Sequence, residues 1–485
     1  MLLHLDPASG EPLFRQVYAG VRSAVLAGQL AAGVRLPPTR DLARELGVSR
    51  NTVLLAFRQL MAEGYLEGRV GAGTYVSAAP PDAMLRAERA RSRRKRPAPS
   101  MALSDRGSAL ASISVSAPRA TPGIAPRAFR IGVPDTASFP FAEWARIVAR
   151  IWRDPEAELL AYGDPQGYEP LRAAIAAHAG AARGVRCDAS QIIIVNGSQQ
   201  ALDLAARLLI DPGDPVWMED PGYLGARAAL QAAGARLVAV PLDDEGIDVA
   251  AGVRMQGDAR LAYVTPSHQF PAGTAAMSLR RRFELLQWAE QAKAWIIEDD
   301  YDSEYRYAGR PITALQGLDG GERVIYVGTF SKVMFPSLRL GYVIVPPQLV
   351  DAFVRARALA DRHGPSVEQA ALAEFMRAGQ LERHIRRMRA RYAERQTLLV
   401  DLLRRQTRGR LDVRASETGL HLTAWLPDGV DDRAVSARLA AAGVDAAPIS
   451  AYRMTSQGRG ALLLGFAAYE ARAIAAGVRV IAGVL

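Results

Sequence analysis

Apolar and polar positions alternate with helical spacing over the first 65 residues of the chain. The apolar positions of a first helix recur at i, i+3, i+7 and i+11 and therefore share one face: Phe14, Val17, Val21 and Val25. A proline pair then precedes a short second helix, with Thr39 as its predicted N-cap and Gly47 as the turn that ends it. Ser49 is the predicted cap of a third helix, and two short extended runs around glycines follow as a hairpin.

Helix, short helix, turn, helix and hairpin is the order of a winged helix-turn-helix. Its third helix reads DNA with the polar residues of its first turn, which here are Ser49, Arg50, Asn51 and Thr52. Arg40 in the second helix and Arg69 in the hairpin are placed to meet the sugar-phosphate backbone. The alternative is a small helical module whose basic face meets only solvent. Residues 36–77 resemble the GntR-family winged helix throughout, and that family binds operator DNA as dimers.

The next segment has little apolar periodicity and is rich in Pro, Ala, Ser and Arg. Such a composition does not bury enough surface to offset the entropy of ordering, so residues 78–125 are predicted to be a flexible basic linker. Its basic run, residues 91–96, either touches DNA nonspecifically or is simply solvated. The predicted domains are therefore residues 1–77, 78–125 and 126–485.

Short β-rich runs alternate with helical ones over residues 126–485, which predicts an α/β domain with a largely parallel sheet. Four predicted strands are each followed at once by polar residues or glycine: QIIIV, RLAYV, AWII and RVIYV. In open α/β sheets, ligands bind outside the carboxyl ends of the strands. The residues that follow these strands are therefore the candidates for a ligand site.

Composition and charge narrow the class of protein. The chain has 485 residues, of which 49% are hydrophobic and 23% charged, so it is expected to form two or three globular domains. A single cysteine, no apolar run of about 18 residues and no signal-like N-terminus predict a cytoplasmic protein without membrane spans. Residues 1–100 hold 15 Arg and Lys against 8 Asp and Glu, most of the net charge of +10. A polyanionic partner is therefore expected at the N-terminal end.

Lysine is rare in this chain, and one of the three lysines follows the strand RVIYV. A desolvated lysine, unlike arginine, can lose its proton and attack a carbonyl carbon, so Lys332 is a Schiff-base candidate; the alternative is a lysine kept by chance on a surface loop. A Gly-Ser-Gln turn that starts a helix offers a phosphate-binding site, the phosphate seat. An acidic cluster follows AWII, where a carboxylate could pair with a protonated pyridine nitrogen, and no His or Cys stands nearby to suggest a metal. Thr329 and Arg339 flank the lysine. Together these groups point to pyridoxal 5′-phosphate (PLP).

Residues 130–470 resemble the fold type I aminotransferases. The resemblance implies that Lys332 forms the Schiff base, Asp299 pairs with the pyridine nitrogen, and Tyr301 hydrogen-bonds the ring 3′-oxygen. Tyr223 resembles the aromatic residue stacked on the ring. The residues implied to hold the phosphate are Ser198, Gln199, Thr329 and Arg339.

Further positions follow from the same resemblance. Tyr162 resembles the tyrosine sent across a dimer interface to the neighbour's phosphate, which implies a homodimer. His268 and Gln269 lie where related proteins contact the cofactor, although Phe270 stands where the enzymes have an asparagine. No metal site is expected.

A GntR-type head, a long linker and an aminotransferase-like domain resemble the MocR family of transcription regulators. The resemblance implies a multidomain chain: a small α+β winged helix-turn-helix, then an α/β PLP-dependent transferase fold (type I) with a smaller C-terminal α+β subdomain. It implies a PLP-dependent regulator that binds operator DNA as a homodimer and senses PLP, an amine or an amino acid.

Two alternatives remain at this point. A working aminotransferase would need an arginine for the substrate carboxylate, but Leu463 stands at the corresponding position, so Arg227 or Arg453 would have to replace it. A purely architectural DNA-binding protein would use its large domain only to dimerise. The operator, the effector and the sign of regulation are not encoded in any motif.

Overall fold

The computed structural model describes residues 5–7, 9–69, 71–78, 103–113, 128–272, 276–309, 312–455 and 458–485. They fall into two compact units, Met1–Leu103 and Ser104–Leu485. The second unit thus begins inside the segment predicted to be the linker.

The first unit is the predicted winged helix-turn-helix. Its elements are α1 (Leu13–Leu26), α2 (Thr39–Leu46), α3 (Arg50–Ala62), β1 (Leu66–Arg69) and β2 (Gly73–Val76), the two strands pairing antiparallel. The apolar positions that the spacing predicts close one core, in which Val17, Val21, Val53 and Phe57 are all buried. Arg50 and Asn51 at the start of α3 and Arg69 in the hairpin are left exposed outside this core.

The turns of this unit follow from local chemistry. Gly47 ends α2 in the left-handed conformation at φ 66°, and the Ser49 hydroxyl accepts a hydrogen bond from the Thr52 amide at 3.1 Å. The prediction that Thr39 caps α2 is wrong by one position, because Thr39 is the first helical residue and Pro38 occupies the cap. The fixed φ of proline suits the entry to a helix, so this helix starts without a side-chain cap.

A short helix lies within the predicted linker. Helix α4 (Asp105–Ser112) begins after Ser104, whose hydroxyl accepts from the Gly107 amide at 3.1 Å. This contradicts an unstructured linker over residues 103–113, because capping and an Ala- and Leu-containing sequence favour a helix there. The basic run at 91–96 and the rest of the linker lie outside the described residues.

The second unit is built on an eight-stranded sheet. Its strands are β3 (Ile192–Val195), β4 (Pro215–Asp220), β5 (Arg236–Asp243), β6 (Gly246–Ile247), β7 (Leu261–Val264), β8 (Trp295–Asp300), β9 (Val324–Thr329) and β10 (Gly341–Ile344). The order across the sheet is β3-β10-β9-β8-β7-β4-β5-β6, with parallel pairing from β9 through β5. Strand β10 is antiparallel to both neighbours, so β3 runs in the same direction as β9. The carboxyl ends of the four predicted strands therefore share one edge.

Helices cover this sheet and lead to a second, smaller one. The helices are α5 (Phe141–Arg153), α6 (Ala157–Leu160), α7 (Glu169–Arg183), α8 (Ser198–Leu209), α9 (Leu224–Ala232), α10 (Val249–Gln256), α11 (Leu279–Ala292), α12 (Leu315–Asp319), α13 (Val350–Asp361), α14 (Ser366–Arg377), α15 (Gln380–Thr407), α16 (Asp432–Ala441) and α17 (Ala471–Val484). None of the described helices is long and apolar enough to cross a membrane.

The smaller sheet is the predicted C-terminal subdomain. Its four strands are β11 (Asp412–Val413), β12 (His421–Trp425), β13 (Ala447–Pro448) and β14 (Ala461–Gly465), in the order β11-β12-β14-β13 and all antiparallel. Phe129, near the start of the aminotransferase-like region, bridges to Gly465 at the end of β14. The segment that follows Phe129 thus runs from the small sheet toward the main one.

Candidate functional site

Lys332 lies in the turn after β9, where its amine donates a hydrogen bond to the Gly132 carbonyl at 2.7 Å. The side chain is half-buried, and a Cβ added to Gly132 would come within 3.0 Å of the amine nitrogen. Burial lowers the pKa of the Lys332 amine, opposed by the charges of Asp302 and Asp299. A larger fraction of the amine is therefore uncharged and nucleophilic than in an exposed lysine.

Asp299 lies at the end of β8 and is 4% exposed. Its Oδ2 accepts a hydrogen bond from the Tyr263 hydroxyl at 2.8 Å, whereas its Oδ1 is buried without a partner among the described residues. Burial raises the pKa of Asp299 to about 7, partly offset by the hydrogen bond from Tyr263. The Asp299 carboxylate therefore lacks a cationic partner, and a protonated ring nitrogen would be such a partner.

The predicted phosphate seat is formed where β3 meets α8. Gly197 adopts φ 88° before the first turn of the helix, and a Cβ there would come within 3.0 Å of the Arg339 guanidinium. Arg339 donates to the Asn196 carbonyl at 2.8 Å, which brings its charge to the start of α8 beside Ser198. The helix N-terminus and a guanidinium thus converge as an anion site requires.

Two predicted phosphate ligands differ in how free they are. The Gln199 side chain donates to the Gly225 carbonyl at 2.9 Å, so its amide is engaged with α9. At the carboxyl end of β9, Thr329 and Ser331 are buried, and the Ser331 hydroxyl has no partner among the described residues. The Thr329 hydroxyl accepts from the Ser331 amide at 3.2 Å. Ser331 is therefore the better hydroxyl donor for a phosphate.

Tyr301 is not free in this structure. Its hydroxyl lies 2.8 Å from Nδ1 of His268, and the same nitrogen lies 3.0 Å from Oδ2 of Asp302. The ring of His268 is 1% exposed, and its Nε2 lacks a partner among the described residues. The resemblance assigns Tyr301 to a cofactor oxygen, so this hydroxyl would have to exchange or share its contact with His268.

The fold also gathers a cluster that the sequence reasoning did not foresee. His268, Asp302 and His421 are buried, with possible metal-ligand atoms within 4.8 Å of one another, although the acidic segment has no His nearby in sequence. Nδ1 of His268 already contacts Asp302, and the Pro271 carbonyl lies 3.1 Å from Nε2 of His421. Burial lowers the pKa of His421 to about 3, so its ring is neutral. Hydrogen bonds thus engage one nitrogen of each ring, Nδ1 of His268 and Nε2 of His421.

Aromatic rings surround Phe270, the residue that replaces the enzymes' asparagine. Its ring contacts Tyr223 at 5.5 Å, Tyr301 at 5.6 Å, His421 at 5.7 Å and Tyr452 at 5.6 Å between centroids. Burial raises the pKa of Tyr223 to about 12, so its hydroxyl stays protonated. Tyr223 and Tyr301, both predicted to hold the ring, are thus joined through Phe270.

Tyr162 lies apart from these groups on the single chain. Its ring is 81% exposed, with the Arg362 guanidinium 4.6 Å from the ring centroid. Burial of the rest of this ring would need a surface from a second chain. The predicted role across a dimer interface therefore stays a prediction.

The predicted DNA-reading residues lie on the surface of the first unit. Arg40, Arg50, Asn51 and Arg69 are exposed. Thr52 is half-buried, and its hydroxyl lies 2.9 Å from the Ser49 hydroxyl. These two residues therefore also stabilise the start of α3. The Arg69 guanidinium lies 4.5 Å from the ring centroid of Tyr75, which holds it along the hairpin.

Sequence reasoning missed several residues of the site because they come from distant positions. Tyr263 precedes Asp299 by 36 residues and Gly132 precedes Lys332 by 200. One signal for Tyr263 was present, since it belongs to RLAYV, the strand that lies next to β8. Gly132 carries no motif of its own.

The two units match two known families. Residues 13–76 match the family described as bacterial regulatory proteins, gntR family, and residues 129–465 match aminotransferase class I and II. The fold is similar to that of LysN, an alpha-aminoadipate aminotransferase from Thermus thermophilus, with a TM-score of 0.68. That structure is a complex with N-(5′-phosphopyridoxyl)-L-leucine. The sequences are 30% identical, and the match covers 74% of this chain and 91% of that chain.

Two relatives match nearly the whole chain. The chain is 43% identical over 477 residues to the probable rhizopine catabolism regulatory protein MocR of Rhizobium meliloti, covering 98% of this chain and 94% of the relative. It is 31% identical over 470 residues to the HTH-type pyridoxine biosynthesis transcriptional regulator PdxR of Corynebacterium glutamicum, covering 96% and 94%. The chain therefore belongs to the MocR family of transcription regulators, in which a GntR-type winged helix precedes an aminotransferase-like domain.

Proposed function

We propose that this chain binds operator DNA through its winged helix and PLP through Lys332, and that occupancy of the cofactor domain changes DNA binding. The observation that carries the proposal is the combination of a half-buried amine on Lys332 with a buried, unpartnered carboxylate oxygen on Asp299 among the described residues. The first is a nucleophile for an aldehyde, and the second is an acceptor for a protonated pyridine nitrogen. We call the residues around this pair the cradle: Gly197, Ser198, Asp299, Thr329, Ser331, Lys332 and Arg339.

Each cradle residue has a role that its surroundings support. PLP supplies, when bound, an aldehyde that condenses with amines. The lowered pKa of Lys332 keeps its amine available for that bond. Asp299 holds a proton on the ring nitrogen, while Arg339 and the start of α8 attract the phosphate. Thr329 and Ser331 donate hydroxyl hydrogen bonds, and Tyr223 covers the ring.

The head supplies the DNA contacts. Arg50 and Asn51 at the exposed start of α3 reach base edges, while Arg40 and Arg69 meet phosphates. Ser49 and Thr52 set the start of α3 and add hydroxyl donors near the DNA backbone. Such a regulator acts where the genome is, which places the chain in the cytoplasm.

Helix α4 lies beside the proposed phosphate seat. Leu110 and Ile113 line a cavity of about 440 Å³ together with Gln199 and Arg339. The first helix after the unit boundary thus borders the phosphate seat. Arg339 therefore belongs both to the proposed phosphate seat and to the cavity that α4 borders.

We also propose a homodimer. Several large apolar side chains between residues 141 and 162 of the second unit are exposed: Phe141, Trp152, Leu160 and Tyr162, at 48%, 57%, 61% and 81%. Such a set favours burial against a second copy. Sedimentation of the full chain at micromolar concentration tests it, and a monomer there would contradict it.

A working aminotransferase is the second candidate, favoured by the same cradle and by the similarity to LysN. Two replacements oppose it: Phe270 for the enzymes' asparagine and Leu463 for their arginine. Incubation of the PLP-loaded protein with amino acids and 2-oxoglutarate tests it. Steady release of keto acid would favour the enzyme over the regulator.

Two measurements test the main proposal. Borohydride reduction of the PLP-supplied protein should leave a pyridoxyl mass on the peptide that contains Lys332, and its absence would overturn the cofactor assignment. DNA selected from a random pool by the PLP-loaded protein is then titrated with apo and loaded forms. Equal affinity and an equal footprint in both forms would remove the proposed response to occupancy.

A further inference from the structure

One face of β14 forms an apolar wall beside the cradle. Ala461 and Leu463, alternate residues of the strand, pack with Ile449 and Ala272, and none of the four is more than 6% exposed. We call these four residues the apolar wall. Leu463 pairs with Thr423 on β12 and with Ala447 on β13, so it lies in the interior of the small sheet.

Two contacts place the wall next to the amine of Lys332. Ile131 packs against the wall and directly precedes Gly132, whose carbonyl accepts the Lys332 hydrogen bond. Tyr452 also packs against the wall, and its ring lies 5.6 Å from that of Phe270. The wall therefore adjoins both the reactive amine and the rings around Phe270.

The arginines near the wall are already committed. Arg227 donates to the carbonyls of Tyr452 at 2.5 Å and Arg453 at 3.4 Å. Arg453 in turn donates to the carbonyls of Gly458 and Arg459, at 2.9 and 2.6 Å. Both arginines named above as replacements for the missing carboxylate ligand are therefore held by backbone oxygens.

Arg459 is committed as well. It donates to the Leu426 carbonyl at 2.6 Å and lies within 3.6 Å of Asp412 and 3.8 Å of Asp428. A carboxylate on a ligand at the wall would have to break one of these arrangements or lose its hydration unpaired.

The open space beyond the wall is also unsuited to an anion. A cleft of about 1290 Å³ is bordered by Gln269, Ala272, Thr423 and Trp425. Its charged lining residues are Asp220, Asp243, Asp244, Asp412, Arg414, Arg453 and Arg459. Arg414, the third arginine, lies 3.9 Å from Asp412. Carboxylates thus outnumber guanidiniums, and each of these guanidiniums has a partner.

We propose that the effector is a primary amine that carries no carboxylate next to its amino group. This inference rests on the proposed function, since the amine is recognised at the cofactor held by Lys332. The apolar wall contains no polar side chain that a carboxylate would need, and the aromatic rings of Phe270 and Tyr452 favour a cationic amine on its approach. An α-amino acid would need a cationic partner for its carboxylate, and Leu463, which stands at the position of the enzymes' arginine, supplies none.

A matched pair of reduced conjugates tests the inference by binding alone. One is N-(5′-phosphopyridoxyl)-L-leucine, and the other is the conjugate of 3-methylbutylamine, which is leucine without its carboxylate. Calorimetry of the full-length apo-protein should show the amine conjugate binding as tightly as the leucine conjugate or more tightly. Tighter binding of the leucine conjugate overturns the inference, and so does failure of both to bind when PLP binds.

Variants at Leu463 sharpen the test. Leu463→Arg should shift the affinity ratio toward the leucine conjugate by about tenfold, the size of one charge-assisted hydrogen bond. Leu463→Met, of similar volume and uncharged, should leave the ratio unchanged. An unchanged ratio in a folded Leu463→Arg protein counts against the inference, and if that variant fails to fold, the wild-type ratio still decides.

The two proposals fail differently. A pyridoxyl mass on Lys332 together with a preference for the leucine conjugate would leave the cofactor assignment standing and remove only the effector class. Absence of that mass would overturn both.

Discussion

The cradle and the apolar wall adjoin each other but differ in the chemistry that they offer. Lys332, Asp299 and Arg339 bring an amine, an acid and a cation to one place, each with an atom or charge that a phosphorylated pyridine ring would satisfy. Leu463 and Phe270 bring apolar surface where an amino acid substrate would need polar partners. The groups that hold a cofactor and the groups that hold a substrate are thus separable within one fold. A regulator needs the first set and can change the second.

Removing the amine should have the largest effect on this contrast. Lys332→Ala should abolish the pyridoxyl mass after borohydride reduction, because no other amine adjoins the site in the described residues. Lys293→Arg is the matched control, since Lys293 lies at the end of α11, away from the cradle, and its loss should change nothing. A pyridoxyl mass of full yield in Lys332→Ala, read by mass spectrometry, would break the comparison on the cradle side.

Removing the carboxylate of Asp299 should have the second-largest effect. Asp299→Asn should weaken PLP binding by about a hundredfold, because breaking a buried ion pair costs about 3 kcal/mol. Equilibrium dialysis against PLP measures it. A change of less than threefold would contradict the pairing of Asp299 with the ring nitrogen.

The same variant makes a separate prediction for the apo-protein. The pKa of Asp299 is raised from 3.8 to about 7 by burial, so its contribution to stability is lost as pH rises between these values. Asp299→Asn removes this loss. The thermal midpoint of the apo variant relative to wild type should therefore rise from about pH 4 to about pH 7 and stay level above. A difference that is the same at about pH 5 and about pH 8 would contradict the assigned pKa.

A substitution in the head should leave both sides of the comparison untouched. Arg50→Ala should reduce operator affinity about tenfold and lower the salt dependence by about one charge, because one phosphate or base contact is lost. Arg44→Ala is the control, an exposed arginine on α2 that pairs with Asp41 at 3.8 Å. Fluorescence anisotropy at several salt concentrations measures both. Equal losses in the two variants would contradict the role of the α3 start.

At Phe270, which lies beside the apolar wall, the expected effect is on the free energy of unfolding. Phe270→Ala removes a ring that contacts four others, which should cost about 2 kcal/mol of unfolding free energy because the partly buried site does not fully collapse. PLP capture by Lys332 should persist. Urea unfolding and borohydride labelling measure the two effects. Loss of capture with unchanged stability would reverse the roles that the comparison assigns.

Sequence patterns predicted the parts of this molecule that depend on neighbours along the chain. The helices of the head and the four strand ends follow from local periodicity, and so do the positions of Lys332, Asp299 and Gly197 at a shared edge. Contacts made across long separations were not predictable. Examples are the Tyr263 hydroxyl on Asp299 and the grouping of His268 with His421, because no local signal specifies which side chains meet in a packed core.

The hydrogen bond from Lys332 to the Gly132 carbonyl has a consequence for the small sheet. If the Lys332 nitrogen held a cofactor, it would have fewer hydrogens to donate, and its hydrogen bond to the Gly132 carbonyl would be weakened or lost. The Phe129 carbonyl, three residues earlier, accepts from the Gly465 amide at 2.9 Å. Strand β14, which carries Leu463, is therefore tethered to the carbonyl that loses its donor. Loading and unloading of the amine would therefore act on β14, the strand that carries two residues of the apolar wall.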